Sequence, residues 1–251
     1  MEEQENLWGY QKRLRFVRSV IEDNFPGRHP SKITVLDIGC GNGSQLALPL
    51  ARSGYQVTGI DPDEKSIAHA ALLSKGIQGL RFLRTSVSEV AEKFDVVILS
   101  EVLEHVDDPG GLLKAGVRVL NPKGLVIVTT PNGYGEFEMD SWVFGLLRMQ
   151  RLVDKLASNR SKVLGSTENS DSGHIQFFTR KRLYRIFREC GLTVWREGAA
   201  SLFAGPFAGH LLARSDRFIQ WNAVVTDRLP TAVASGWYFA LRREDSSGVA
   251  E

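Results

Sequence analysis

The segment "SEVLEHVDDP", Ser100 to Pro109, places two carboxylates and an imidazole close together, at Glu101, Glu104 and His105. If it makes one helical turn, positions i, i+3 and i+4 share a face and the three groups converge on one point. Such convergence is costly unless a cation or a proton occupies that point. A divalent ion would satisfy all three groups. Mixed nitrogen and oxygen donors suit manganese, iron or zinc, and magnesium can be held through the carboxylates and waters. His174 in "SGHIQFF" would add a second imidazole. Two other readings stand beside the metal: His105, with Glu101, as metal-free catalytic groups, or a cluster that only lines a pocket or packs.

A second constellation precedes it. In "VLDIGCGNGSQLALPLARSGYQVTGID" an apolar run reaches Asp37, then Gly39, Gly41 and Gly43 alternate, and a second apolar run ends in Asp61. Glycines between a strand and a helix let the backbone approach a ligand with no Cβ in the way. The spacing is G-x-G-x-G, not the G-x-G-x-x-G of dinucleotide binders. An acid closing the next strand can accept both hydroxyls of a ribose. A glycine loop standing alone would equally describe a tight turn with a packing requirement.

Positioning these groups requires strands that end beside one another. Apolar positions Leu7, Tyr10, Leu14, Val17 and Ile21 have helical spacing, broken by "NFPGRHPSK". There follow a strand over Ile33–Ile38, a helix near Ser44–Ser53, a strand over Gln56–Ile60 and a helix near Glu64–Lys75. Next come strands over Leu80–Leu83 and Phe94–Leu99, a helix near Gly111–Leu120 and a strand over Leu125–Thr130. The pattern resumes at "FTRKRLYRIFRECGL", with Thr179 as N-cap and Gly191 as helix stop, then a strand at Thr193–Arg196 and a last one in "GWYFALRR". Repeated β-then-α units demand crossovers, hence an α/β fold with a parallel sheet and helices on both faces.

With these residues in view the chain resembles class I S-adenosylmethionine-dependent methyltransferases. "VLDIGCGNG" with "VTGID" is similar to their first two motifs, and the likeness continues through "FDVVILSEVLEHVDDP" and "LNPKGLVIVTTPN", then returns at "GHIQFFTRKRLYRIFRECGL". The branch it most resembles is the ubiquinone-biosynthesis O-methyltransferases; its acid–histidine pattern also resembles that of the small-RNA terminal 2′-O-methyltransferases. The resemblance implies a Rossmann-like, seven-stranded, mostly parallel sheet with the last strand antiparallel, and cofactor and acceptor over the strands' carboxyl ends. It implies that Asp37, Gly39, Cys40, Gly41 and Gly43 flank the methionine part of S-adenosyl-L-methionine and that Asp61 binds its ribose. Pro62 then begins the turn beside the adenine, and Ser100 at the end of the fourth strand joins the cofactor contacts. It further implies a divalent ion held by Glu101, Glu104, His105 and His174. One departure stands out: many members carry an acid after the third strand to bind the adenine amine, whereas "LRTSVSEV" offers Thr85, Ser86 and Val87, with hydroxyl or backbone contacts only.

At 251 residues, the chain is expected to form one methyltransferase domain. Its parts would be an N-terminal helical cap (1–31), a cofactor-binding core (32–132), an insertion or lid (133–177), more core (178–198), a second insertion (199–235) and a last strand with its tail (236–251). A net charge of +2 gives no strong nucleic-acid signal, and Cys40 and Cys190 lack metal-type spacing, so a reducing cytoplasm is the expected setting. The start "MEEQENLWGY" lacks the apolar core of a secretory signal, and no run is long enough to span a membrane. In the first insertion Trp142, Leu146, Met149, Val153 and Leu156 form a helical stripe edged by Arg148, Arg151 and Lys155. Residues 137–157 would act as a lid over an apolar acceptor, lie on the inner face of a membrane, or pack on the sheet domain. The second insertion, with His210 and Trp221, is similarly apolar; His29 and His69 lie outside this zone.

The expected function is O-methylation of a small hydroxylated acceptor, whether phenolic, quinone-like, sugar or lipid-linked, with a divalent metal as potential helper. The alternatives are an RNA 2′-O-methyltransferase, a nicotinamide oxidoreductase, which the glycine spacing argues against, and a catalytically silent binding module.

Overall fold

The computed structural model describes residues 5–6, 9–133, 175–202 and 215–244. The elements run α1 (Tyr10–Asn24), β1 (Thr34–Ile38), α2 (Ala47–Arg52), β2 (Gln56–Asp61), α3 (Glu64–Leu73), β3 (Leu80–Arg84) and β4 (Phe94–Ser100). They continue with α4 (Pro109–Arg118), β5 (Leu120–Pro131), α5 (Arg180–Glu189), β6 (Leu192–Ala199), α6 (Asp216–Val225) and β7 (Gly236–Arg243). The seven strands form one sheet in the order β3-β2-β1-β4-β5-β7-β6. Strands β1 to β5 pair in parallel, and β7 runs antiparallel to both β5 and β6. This is the Rossmann-like class I methyltransferase arrangement that the sequence leads one to expect.

Two cores explain the strand sequences. Strands buried on both faces read as unbroken apolar runs, as "VVIL" does in β4. Alternate residues then serve opposite layers. Val96, Ile98, Leu125 and Ile127 pack with Val17, Val20 and Ile21 of α1 and Leu50 of α2. Val97, Leu99, Val126 and Val128 pack with Leu113 of α4 and Leu183 and Phe187 of α5.

Local signals set the helix starts. Asp63 caps α3 by accepting from the Ser66 amide at 2.7 Å, Asp108 caps α4 through the Gly111 amide at 2.8 Å, and Thr179 caps α5 through the Arg182 amide at 3.2 Å. Several bounds differ from the sequence reading. Helix α2 begins at Ala47 rather than Ser44, because Asn42 Oδ1 accepts from both the amide and the hydroxyl of Ser44 and keeps that residue in the loop. Strand β5 starts at Leu120 and β6 continues to Ala199, each drawn out by pairing with its neighbour. The second insertion holds an unforeseen helix, α6, capped by Ser215. The Trp142–Leu156 stripe, His174 and His210 lie outside the described residues. Among the described residues, no helix is long and apolar enough to cross a membrane.

Candidate active site

The carboxyl ends of β1, β2 and β4 open into a cleft whose walls include Asp37, Gly41, Asp61, Pro62, Glu101 and His105. Gly39, Cys40 and Ser100 line it as well, while Ser86 and Val87 stand on the loop after β3, away from that lining. The first wall is built by backbone. Ile60 O at the end of β2 accepts from the amides of Gly39 (2.8 Å) and Cys40 (3.1 Å), which turns the chain sharply out of β1. Asp61 is then fixed at both oxygens: Oδ2 accepts from the Gly41 amide at 2.9 Å and Oδ1 from the Asp63 amide at 2.8 Å. Each oxygen keeps a lone pair for a further donor.

Gly41 and Gly43 both have positive φ, 55° and 74°, but for different surroundings. A Cβ on Gly43 would lie 2.3 Å from Phe82 Cζ, so that glycine answers to packing. A Cβ on Gly41 would meet nothing within 4 Å and would project into open space beside Asp61. The glycine loop is therefore part packing device and part open cradle.

The second wall departs from the expected helical turn. A 3-10 turn covers only Leu103–His105, and Glu101 lies before it with φ 55°, the one positive-φ residue other than glycine among the described residues. Glu101 and Glu104 consequently take different partners. Glu101 Oε1 accepts from Thr129 Oγ1 at 2.7 Å and lies 3.7 Å from Arg13 Nη1. Glu104 is fully buried, with Oε2 at 3.4 Å from Thr130 Oγ1 and Oε1 without a hydrogen-bond partner among the described residues. Neighbours on a strand point to opposite faces, so Thr129 draws Glu101 toward the α1 layer and Thr130 draws Glu104 toward the α4 and α5 layer. Among the described residues, no three His, Cys, Asp or Glu side chains form a group that could hold a metal ion.

Burial governs the charges. Burial, then the neighbouring Asp61, raises Asp37 to about 7, against the pull of Arg13 and the Ala47 amide. Burial and then Glu101 push Glu104 well above the usual carboxylate range, and burial, Asp37 and Asp61 push the Cys40 thiol up. Arg13 on α1 is itself buried and is the residue the sequence reading passed over. A helical stripe marked α1 as amphipathic, and Arg13 falls next to Leu14 on its buried side; an arginine on the apolar face was the available signal. Thr129 and Thr130, read only as the end of a strand, were missed for the same reason.

Comparison with known proteins identifies the family. Residues 9–197 match the family described as "Methyltransferase domain". The ubiquinone biosynthesis O-methyltransferase of Bradyrhizobium diazoefficiens is 45% identical over 103 residues, covering 40% of this chain and 40% of that protein. The mitochondrial ubiquinone biosynthesis O-methyltransferase of Homo sapiens is 38% identical over 210 residues, 79% of this chain and 52% of that protein. The chain thus spans about half the length, or less, of the curated relatives it matches. Among solved structures, magnesium protoporphyrin IX methyltransferase from Synechocystis PCC 6803 with bound SAH superposes with a TM-score of 0.57 at 18% identity, over 93% of this chain and 82% of that one, a likeness of fold. The chain belongs to the class I S-adenosylmethionine-dependent methyltransferases and is related to the ubiquinone-biosynthesis O-methyltransferase family.

Proposed function

We propose that this protein transfers the methyl group of S-adenosylmethionine to an oxygen of a small hydroxylated acceptor. One observation carries the reading: a single cleft holds Asp61, locked by two amides, together with Glu101 and His105. The donor fits the first wall. Gly41 leaves room for close approach, Asp61 can accept from ribose hydroxyls, and Glu101 sets a negative field for a cationic ligand. Bound there, the sulfonium supplies a methyl group that needs no further activation.

The chain's own task is alignment and proton removal. In this reading His105, which lines the cleft with Glu101, takes the proton of the acceptor hydroxyl. The oxygen–carbon bond forms as the carbon–sulfur bond breaks, and the donor leaves as a neutral thioether. The relatives named for ubiquinone biosynthesis support a phenolic or quinone-like acceptor. Calorimetric titration with S-adenosylmethionine tests the donor. Labelled donor offered with catechols, quinols, sugars and short RNAs tests the acceptor. Binding of NADH with no binding of S-adenosylmethionine would overturn the reading.

A divalent ion is the second reading, favoured by the unpartnered Oε1 of buried Glu104. The described donors do not assemble into a metal group on their own. Ile175 and Gln176, directly after His174 in the chain, donate their amides to Glu104 O at 3.1 and 3.2 Å. A metal site would stop turnover on chelation, spare donor binding and recover with manganese, zinc or magnesium. Full turnover in chelator would eliminate it.

A further inference from the structure

Glu101 is held in its left-handed conformation by a chain of polar groups that reaches across the α1 face of the sheet. Ser100 and Thr129 are register partners on β4 and β5. Arg13 Nη1 donates to Ser100 Oγ at 3.0 Å, Ser100 Oγ lies 2.9 Å from Thr129 Oγ1, and Thr129 Oγ1 is 2.7 Å from Glu101 Oε1. A guanidinium only donates and a carboxylate only accepts. The two hydroxyls between them therefore have a single consistent direction: Arg13 to Ser100, Ser100 to Thr129, Thr129 to Glu101. Thr129 grips Glu101 a second time, because its carbonyl accepts from the Glu101 amide at 2.9 Å. The backbone strain at φ 55° is thus opposed from both the main chain and the side chain of one buried threonine.

This arrangement ties Oε1 to the protein and leaves the carboxylate's other oxygen to the cleft that Glu101 lines. Asp61 and Glu101 line that cleft as carboxylates, and Asp37, raised to about 7 by burial, adds its charge only as pH rises through that value. Arg13, 3.7 Å from Glu101, is buried and spends Nη1 on Ser100. The cleft therefore presents an excess of negative charge to whatever it binds. We propose that Arg13, Ser100 and Thr129 are positioning residues that present the Glu101 carboxylate to a cationic group of the methyl donor, its sulfonium or its ammonium. The inference rests on the donor reading above and names the part of the donor that this side of the cleft recognises.

The test is calorimetric titration with S-adenosylmethionine and with S-adenosylhomocysteine, which keeps the ammonium and lacks the sulfonium charge. Glu101→Gln should weaken S-adenosylmethionine by about tenfold or more, as for a hydrogen bond to a charged group. Thr129→Val and Ser100→Ala should each weaken it by about three- to tenfold, the worth of one net hydrogen bond, and Thr129→Ser should restore it to within about twofold. Added to Glu101→Gln, Thr129→Val should cost less than about twofold more, since a group acting through Glu101 has nothing left to position. Loss confined to S-adenosylmethionine identifies the sulfonium; equal loss with both ligands identifies the ammonium. Thr129→Val with unchanged affinity, or with the same cost in both backgrounds, would overturn the proposal. A native protein that binds neither ligand would overturn the donor reading itself. A crystal structure of Thr129→Val would then still decide the positioning role, by whether Glu101 keeps its left-handed φ.

Discussion

The two walls of the cleft are built in different ways. At the β1 and β2 ends, main-chain amides do the fixing: Gly39 and Cys40 bond Ile60 O, and Asp61 accepts from the Asp63 amide two residues on and from the Gly41 amide of the loop after β1. At the β4 and β5 ends, side chains from distant parts of the sequence add to the main-chain bonds: Arg13, Thr129 and Thr130 reach Ser100, Glu101 and Glu104. The first wall leaves Asp61 with both oxygens bonded. The second leaves a strained Glu101 and a buried Glu104 with an oxygen unpartnered among the described residues. A wall made of backbone is complete before ligand arrives, whereas a wall made of opposed charges stores a demand that a ligand or a proton can meet.

Asp37 lies where the two walls meet, and its replacement should give the largest effect. Its carboxyl titrates at about 7 in the folded chain against an ordinary 3.8, chiefly because it is buried. Between those values the unfolded chain releases its proton while the folded chain keeps it, so stability falls as pH rises and levels off above about 7. At about 1.4 kcal/mol per pH unit this one group removes about 4 kcal/mol across the window. Asp37→Asn should therefore gain about that much stability relative to the native protein between pH 4 and pH 8. Urea unfolding at both pH values measures it, and parallel curves for the two proteins would show that Asp37 ionises normally.

Asp61 sharpens the contrast from the backbone side. Asp61→Ala should weaken S-adenosylmethionine binding by about 1.5–3 kcal/mol, the range for charge-assisted hydrogen bonds, and should also free the Gly41 and Asp63 amides it now holds. Calorimetry reads the affinity. A loss below tenfold would mean that the ribose is held elsewhere.

How far each wall was legible in the sequence follows from the same contrast. The fold and the glycine loop were readable because their causes are local: apolar runs for β1, β2 and β4, the cap at Thr179, and an acid one strand after the glycines. The acid–histidine cluster was visible as composition, but its geometry was not. A helical turn at Glu101 is an ordinary inference from spacing, and it failed because β5 supplies two threonines that draw the acids toward opposite layers. Arg13 lies 87 residues from Ser100, and no local pattern ties them. Helix α6 escaped because the second insertion showed apolar character without a clear period, although Ser215 stood ready as its cap.

The two glycines separate packing from recognition within the backbone wall. Both have positive φ, so an alanine at either position carries a conformational cost of about 1–2 kcal/mol. Gly43→Ala adds a clash with Phe82, in the range of about 1–3 kcal/mol for overpacking. Gly41→Ala adds none, since its Cβ would enter open space. Thermal unfolding should rank Gly43→Ala as the less stable, while titration should rank Gly41→Ala as the poorer binder per unit of stability lost. The reverse ranking would mean that Gly41 serves the fold and Gly43 the ligand.

The smallest effect belongs to Thr130, and it probes how Glu104 is held. Thr130 Oγ1 lies 3.4 Å from Glu104 Oε2, long for a hydroxyl–carboxyl hydrogen bond, against 2.7 Å for Thr129 and Glu101. Val replaces Thr with the same shape, so Thr130→Val removes one weak bond and opens no cavity. The expected loss of stability is below about 1 kcal/mol, under the mean for a well-formed hydrogen bond. Burial, not this bond, sets the raised pKa of Glu104, so its carboxyl should stay in that range when the hydroxyl is gone. Equilibrium unfolding of Thr130→Val at pH 6 and pH 8 gives both answers. A loss above about 2 kcal/mol would show that Glu104 depends on Thr130 as strongly as an ionised carboxylate depends on a good donor, and the two acids would then be held alike.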